Sequence, residues 1–126
     1  IASDYISSLR IKTPSSRQIA RNLSGGNQQK LMLARWLFSK PKLLIFEDPT
    51  RGIDVNAKVE GYNLIGDFIE TGGAVIIVSS DLPELEGICD RVIVMRNGLI
   101  AADIPRDQIS QQTIAYQCVT HLSEGT

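Results

Sequence analysis

Apolar runs in this chain predict three β-strands and a hairpin. Lys42–Asp48 and Ala74–Ser80 are continuous apolar segments that end in polar side chains, and Arg91–Met95 is a third. Runs without alternation are typical of strands that are buried on both faces of a parallel sheet. The pair Asn97-Gly98 is a strong turn signal, so the apolar residues that follow it are predicted to return antiparallel to the third strand.

Segments with apolar residues at helical spacing separate these strands. This periodicity, together with residues that typically begin or end a helix, predicts five helices. They are Asp4–Leu9, LMLARWLF before Pro41, Asp54 to Gly73, Pro83–Ile88 and Asp107–Cys118. The order of elements predicts an α/β fold, with a mainly parallel sheet flanked by helices and a terminal β-hairpin and helix. In such sheets ligands bind at the carboxyl ends of the strands.

Composition narrows the class of protein. The 126 residues carry 13 basic and 14 acidic side chains, a net charge of −1, and 43% of them are hydrophobic. This is the composition of one soluble globular domain without a field that draws it to nucleic acid or anionic lipid. Cys89 and Cys118 imply no disulfide framework. No apolar run reaches the ~18 residues that span a bilayer. The chain opens without a methionine or a signal peptide, which indicates a piece of a longer protein.

The segment LSGGNQQK combines the features of a phosphate site. Ser24 is predicted to cap the helix that follows it, and Gly25 and Gly26 lack Cβ atoms, so an anion can approach backbone N–H groups. The helix dipole adds positive potential at the same end. Taken alone, the segment is more often a plain serine-capped helix after a glycine turn.

Two adjacent acids, Glu47 and Asp48, end the first predicted strand and precede a Pro-Thr turn. Carboxylates at the end of a buried strand need partners, and a hydrated Mg²⁺ ion is the usual one. A pair of solvated loop acids is equally compatible with these two residues by themselves.

Four segments, taken in order, resemble motifs of ABC transporter ATPase subunits. LSGGNQQK resembles the signature motif, LLIFEDPT the Walker B strand, RGID the D-loop and VIIVSSD the switch strand. GGNQQK, PTRGID and SSDLPEL more narrowly resemble the second cassette of the tandem-cassette subunit of bacterial sugar importers. The resemblance assigns residues 1–22 to the end of a helical subdomain that leads into the signature motif. It assigns residues 23–126 to the carboxyl-terminal half of a nucleotide-binding domain with the P-loop NTPase fold.

The resemblance implies that two cassettes pair head to tail with ATP between them. The signature segment is then expected to contact the ATP of the partner cassette through Ser24, Gly25, Gly26, Asn27 and Gln28. Asp54 is expected in the D-loop at the same interface.

The acids and the switch serine are expected to serve the other nucleotide, which the chain's own cassette binds. Glu47 is expected to hold Mg²⁺ through water, Asp48 stands at the position of the catalytic base, and Ser80 can donate to a phosphate oxygen. ATP and Mg²⁺ are thus the expected cofactors, and the chain is expected to hold parts of two sites and all of neither.

Two departures from the family pattern concern these same residues. Family Walker B strands usually end in aspartate and then glutamate, whereas Glu47 and Asp48 stand in the reverse order, and Ser80 replaces the usual histidine. A misplacement of ~1 Å costs on the order of 10²-fold in rate, so this site is expected to be weak or non-hydrolytic. No G-x-x-x-x-G-K-[ST] motif is present, so the chain alone is expected to hydrolyse no ATP.

The function implied by the resemblance is ATP hydrolysis that powers sugar import through an ABC transporter. The expected partners are a second cassette, membrane permease subunits and, indirectly, a sugar-binding protein, at the cytoplasmic face of the bacterial inner membrane and with no nucleic acid. One alternative is a degenerate nucleotide-binding half that regulates its partner without hydrolysis. Another is a soluble ABC ATPase that acts on ribosomes or DNA, but the chain shows no basic stripe for such a partner.

The remaining conspicuous side chains are predicted to take no part in chemistry. Leu33, Trp36 and Phe38 are expected in the core rather than stacked on adenine, and Cys89 is expected to be a buried, inert thiol. His121, the only histidine, lies in a tail that is expected to fray.

Overall fold

The computed structural model describes residues 1–120, so the predictions for His121 and the tail lie outside it. The chain divides into two compact units, Ile1–Val78 and a second that begins at Ser79. The first unit contains α1 (Ala2–Ser8), a 3-10 turn (Ala20–Asn22), α2 (Gly25–Phe38), β1 (Leu43–Glu47), α3 (Val55–Glu70) and β2 (Ala74–Val78). The second contains α4 (Leu82–Ile88), β3 (Arg91–Arg96), β4 (Leu99–Pro105), a 3-10 turn (Arg106–Gln108) and α5 (Gln111–Val119). The predicted α/β class is confirmed.

Two separate strand pairs make up the sheets of the described chain. β1 and β2 pair in parallel, in a register that runs from Leu43 opposite Ala74 to Glu47 opposite Val78. β3 pairs with β4 in an antiparallel hairpin and, within residues 1–120, not with the parallel pair. Asn97 and Gly98 both have positive φ at the hairpin turn, +51° and +77°, which is the conformation their residue types favour there.

Side-chain caps mark where α2, α3 and α5 begin. The hydroxyl of Ser24 caps α2 and the carboxylate of Asp54 caps α3, as their positions in the sequence predicted. The terminal helix begins at Gln111 rather than at the predicted Asp107, because Ser110 caps it by accepting from the backbone N–H of Thr113.

The first unit packs its apolar side chains on one face of the parallel strands. Leu33 of α2, Leu44 of β1 and Phe68 of α3 form a common buried cluster. The other face of the pair is exposed, with Ile45 65% and Val78 56% accessible. The prediction that these strands are buried on both faces is therefore wrong, because α2 and α3 both cover the same side.

The second unit has its own core. Leu85 of α4, Val92 and Val94 of β3, Ile104 of β4 and Ile114 of α5 are buried together. Within the described residues, no helix is both long and apolar enough to span a bilayer.

Candidate functional site

The start of α2 is held by hydrogen bonds among its own polar side chains. The hydroxyl oxygen of Ser24 accepts from the side-chain amide of Asn27 at 2.8 Å, and the carbonyl oxygen of that amide accepts from the backbone N–H of Lys12 at 2.9 Å. Gln28 donates its side-chain N–H to the carbonyl of Leu23 at 2.8 Å. These hydrogen bonds hold the loop that precedes the helix, so the side chains of Asn27 and Gln28 stabilise the conformation of the helix start.

The two glycines at this helix start have different surroundings. Gly25 is exposed, and a Cβ atom added to it would meet no atom within 4 Å. A Cβ atom on Gly26 would lie 3.0 Å from the Cβ atom of Ala57 in α3. The first backbone N–H groups of a helix have no acceptor within the helix, so the open space at Gly25 leaves room for an anion to accept from them.

The two acids at the end of β1 differ in exposure and in backbone conformation. The side chain of Glu47 is exposed, whereas that of Asp48 is about one-third accessible. Asp48 has a left-handed backbone, with φ at +43°, and its N–H donates to the carbonyl of Val78 at 2.8 Å. The exposed guanidinium of Arg51 lies 3.8 Å from the Asp48 carboxylate, the distance of a loose ion pair.

The turn after the acids is tied to α2 by a side chain that sequence reasoning missed. Gln29 donates its side-chain N–H to the carbonyl oxygen of Pro49 at 2.6 Å. A signal existed in the sequence, because Gly26, Gln29 and Leu33 fall on one face of the helix. Farther along the loop, the Asp54 carboxylate accepts from the backbone N–H of Ala57 at 3.0 Å and begins α3.

A nearly buried ammonium group joins three segments of the first unit. Lys30 is 8% accessible, donates to the carbonyl of Arg10 at 3.1 Å, and forms an ion pair with Glu60 of α3. The hydrogen bond from Lys30, and then its charge, lower the pKa of Glu60 from its usual value of 4.5. The pair is structural, since it connects α2 to α3 on the side where Gly26 meets Ala57.

The predicted switch segment in the second unit is organised around a buried acid. The hydroxyl of Ser79 donates to the carboxylate of Glu84 at 2.5 Å and accepts from the backbone N–H of Asp81 at 3.0 Å. Ser80, between them, is exposed. Burial, followed by the charge of Glu84, raises the pKa of the Cys89 thiol, which is half-buried rather than buried as predicted. That this thiol is inert stays a prediction.

A cavity of about 590 Å³ lies between α2, β1 and α3, with Glu47 and Asp48 among its lining residues. Trp36 also lines it and is 57% accessible, while Phe38 is 59% accessible. The prediction that both aromatic residues belong to the core is wrong, because more than half of each residue's surface remains accessible to solvent. Leu33 itself is buried as predicted.

The donor set at the end of β1 is compatible with a hydrated magnesium ion. Glu47 and Asp48 supply carboxylate oxygens that solvent reaches. Among the residues that the structure describes, no group of three or more His, Cys, Asp or Glu side chains could hold a metal by itself. Mg²⁺ keeps several waters and is usually bound by one or two carboxylates together with phosphates, so two acids fit it.

The sequence of the chain is similar to that of known proteins. Residues 2–51 match a family model described as ABC transporter. The chain is 50% identical over 119 residues to the xylose import ATP-binding protein XylG of Thermoanaerobacter pseudethanolicus, covering 94% of this chain and 23% of that protein. It is 51% identical over 110 residues to the ribose import ATP-binding protein RbsA of Clostridium perfringens, covering 87% and 22%. The chain thus spans less than a quarter of the length of these curated relatives.

Solved structures share the fold at lower identity. An ATP-binding cassette of an ABC transporter superposes with a TM-score of 0.80 at 22% identity, covering 94% of this chain and 47% of that one. A dimeric ATP-binding cassette bound to ADP and Pi superposes with a TM-score of 0.71 at 21% identity, covering 82% and 45%. At this identity, the likeness is one of fold.

Proposed function

We propose that this chain is the carboxyl-terminal part of an ABC transporter cassette and contributes residues to two ATP sites of an ATPase subunit that powers sugar import. The observation that carries the proposal is the accessible start of α2, where Gly25 is exposed and no atom lies within 4 Å of the position of an added Cβ atom. The names of the xylose, ribose and galactose import relatives support a sugar as the cargo.

The signature segment serves the ATP that a partner cassette binds. Ser24, Gly25 and Gly26 face its γ-phosphate, which accepts from backbone N–H groups at the positive end of α2. Asn27 and Gln28 belong to the same site and hold the preceding loop through their side-chain hydrogen bonds. Asp54 keeps the D-loop in shape by capping α3.

The acids serve the nucleotide of the chain's own cassette. Glu47 would hold Mg²⁺ through water, and the ion, when bound, would neutralise charge on the phosphates. The Asp48 carboxylate orients the attacking water and accepts its proton, and the exposed hydroxyl of Ser80 donates to a phosphate oxygen. The reversed order of Glu47 and Asp48 displaces both carboxylates, so this site is slower than the opposite one.

The intact subunit pairs head to tail with a second cassette and binds membrane permease subunits. A sugar-binding protein delivers the sugar to these permease subunits. The subunit works as a peripheral protein on the cytoplasmic face of the bacterial inner membrane. Residues 1–22 close the helical subdomain and residues 23–126 form the second half of the nucleotide-binding domain.

Single-turnover hydrolysis in the complete two-cassette subunit tests this assignment. The P-loop lysine of each cassette is disabled in turn, so that one site is measured at a time. We expect a lower hydrolysis rate at the site served by Glu47, Asp48 and Ser80 than at the opposite site. Equal rates from the two sites would contradict that expectation.

A regulatory role without hydrolysis is the second candidate, and the reversed acids together with Ser80 favour it. Calorimetry with ATP on the complete subunit separates the two functions when it is paired with the hydrolysis assay. Nucleotide binding at the slow site with no turnover supports the regulatory role, whereas slow but measurable turnover supports the enzymatic one.

A further inference from the structure

The backbone of Asp48 is held from both sides in a conformation that an aspartate rarely adopts unsupported. Its φ of +43° lies in the left-handed region. On the upstream side, the Asp48 N–H donates to the carbonyl of Val78 at 2.8 Å. On the downstream side, the carbonyl of Pro49 accepts from the side chain of Gln29 at 2.6 Å. One hydrogen bond therefore holds the backbone on each side of Asp48, and the downstream one depends on the side chain of Gln29.

The helix that carries Gln29 is well anchored on this side. Gly26, one turn before Gln29, packs against Ala57 of α3. Lys30, the next residue, bonds to the carbonyl of Arg10 and pairs with Glu60. Gln29 is itself half-buried, so its amide is presented to Pro49 from a fixed support.

We propose that Gln29 is a positioning residue, which sets the orientation of the Asp48 carboxylate by holding the carbonyl of Pro49. The inference rests on the proposed function of Asp48. Gln29 also lies four residues after Gly25, on the helix whose start faces the partner's nucleotide. The same side chain thus links the half-site at Gly25 to the half-site at Asp48.

Amide hydrogen exchange on the complete subunit that carries this segment tests the inference. Q29M keeps the length of the side chain and removes its donor. The N–H groups of Arg51 and Ile53 are bonded within the turn, to the carbonyls of Asp48 and Thr50. We expect both to exchange about five- to tenfold faster in Q29M, as the loss of one hydrogen bond implies, while the amides of β1 are unchanged. Unchanged exchange in the turn, or equally faster exchange in β1, would overturn the proposal.

Hydrolysis supplies the second readout, with the other cassette's P-loop lysine disabled so that one site is observed. Q29M is expected to lower the maximal rate about tenfold and to change the KM for ATP less than twofold, because it moves a reacting group and no binding group. An unchanged maximal rate with only a lower melting temperature would show a merely structural role. Q112M, at an exposed position of α5, is the matched control.

The variant D48N separates this inference from the proposed function. Asparagine tolerates the left-handed backbone and lacks the carboxylate. If D48N leaves the rate of this site unchanged, the proposed role of Asp48 fails. If D48N lowers the rate and Q29M does not, only the role of Gln29 fails.

Discussion

Gly26 and Ala57 are so close that a Cβ atom on the glycine would lie 3.0 Å from the Cβ atom of the alanine. The backbone of α2 thus approaches α3 closely here, and a side chain on the second glycine of the signature segment would crowd Ala57 inside the chain. The first glycine, Gly25, has open space instead. A side chain would therefore disturb different surroundings at the two glycines, although they are adjacent.

Gly26→Ala is expected to destabilise the fold by about 1 kcal/mol, because α2 and α3 must adjust slightly to relieve the crowding of the added methyl group against Ala57. Urea unfolding measures the change. Ala57→Gly removes the clashing methyl from the other side and should recover part of the loss in the double variant. A double variant that is as unstable as the sum of the two single variants would show that this contact is not the cause.

Gly25→Ala is expected to behave differently. Its added methyl group meets open space and Gly25 has no positive φ, so stability should stay within about 1 kcal/mol of the parent or rise slightly. In the complete subunit the methyl group would obstruct the partner's nucleotide, and hydrolysis at that opposite site should fall by about tenfold or more. Full activity in Gly25→Ala would argue against a phosphate at this helix start.

Reversal of the acids is expected to raise the rate of the site that we propose to be the slower one. The double variant Glu47→Asp with Asp48→Glu restores the usual family order and moves each carboxylate by about one carbon–carbon bond, which allows a gain of up to about 10²-fold. Single-turnover hydrolysis at that site is the measurement, and an unchanged rate would mean that the reversed order is harmless. Glu70→Asp, at the exposed end of α3, is a control for shortening an acid elsewhere.

The ion pair of Lys30 and Glu60 predicts a pH dependence of stability. Because Lys30 lowers the pKa of Glu60 below 4.5, the pair's contribution is complete above about that pH and is lost as the pH falls through the lowered pKa. Glu60→Gln should therefore be less stable than the parent at pH 7, and the difference should shrink as the pH falls through the lowered pKa of Glu60. Urea unfolding at several pH values compares the two, and a constant difference between them would exclude this pair as the source.

The exposed face of the parallel strands predicts self-association of the 126-residue chain. Ile45, Ile76 and Val78 present apolar side chains there. Ile45→Lys should shift sedimentation velocity profiles toward the monomer, whereas Val55→Lys, at an exposed apolar position on α3, should not. Equal effects of the two lysines would indicate that net charge, and not this face, controls association.

Local signals in the sequence were sufficient for most element boundaries. Ser24 and Asp54 begin their helices through bonds to residues three positions away, and Asn97-Gly98 turns its own hairpin. Such interactions are encoded by neighbours, so they can be predicted one segment at a time. The motif residues at Gly25 and Glu47 are likewise exposed at the ends of their elements, and their contacts with ATP and Mg²⁺ stay a prediction.

Only the tertiary structure decided how these segments work together. Gln29 meets Pro49 and Gly26 meets Ala57 across long stretches of chain, and both contacts depend on the rotation of α2 about its axis against its neighbours. The same packing leaves Trp36 and Ile45 exposed, although their apolar character predicted burial. The hydrophobic pattern indicates which residues can be buried. Which face of a sheet the helices cover depends on contacts between residues far apart in sequence.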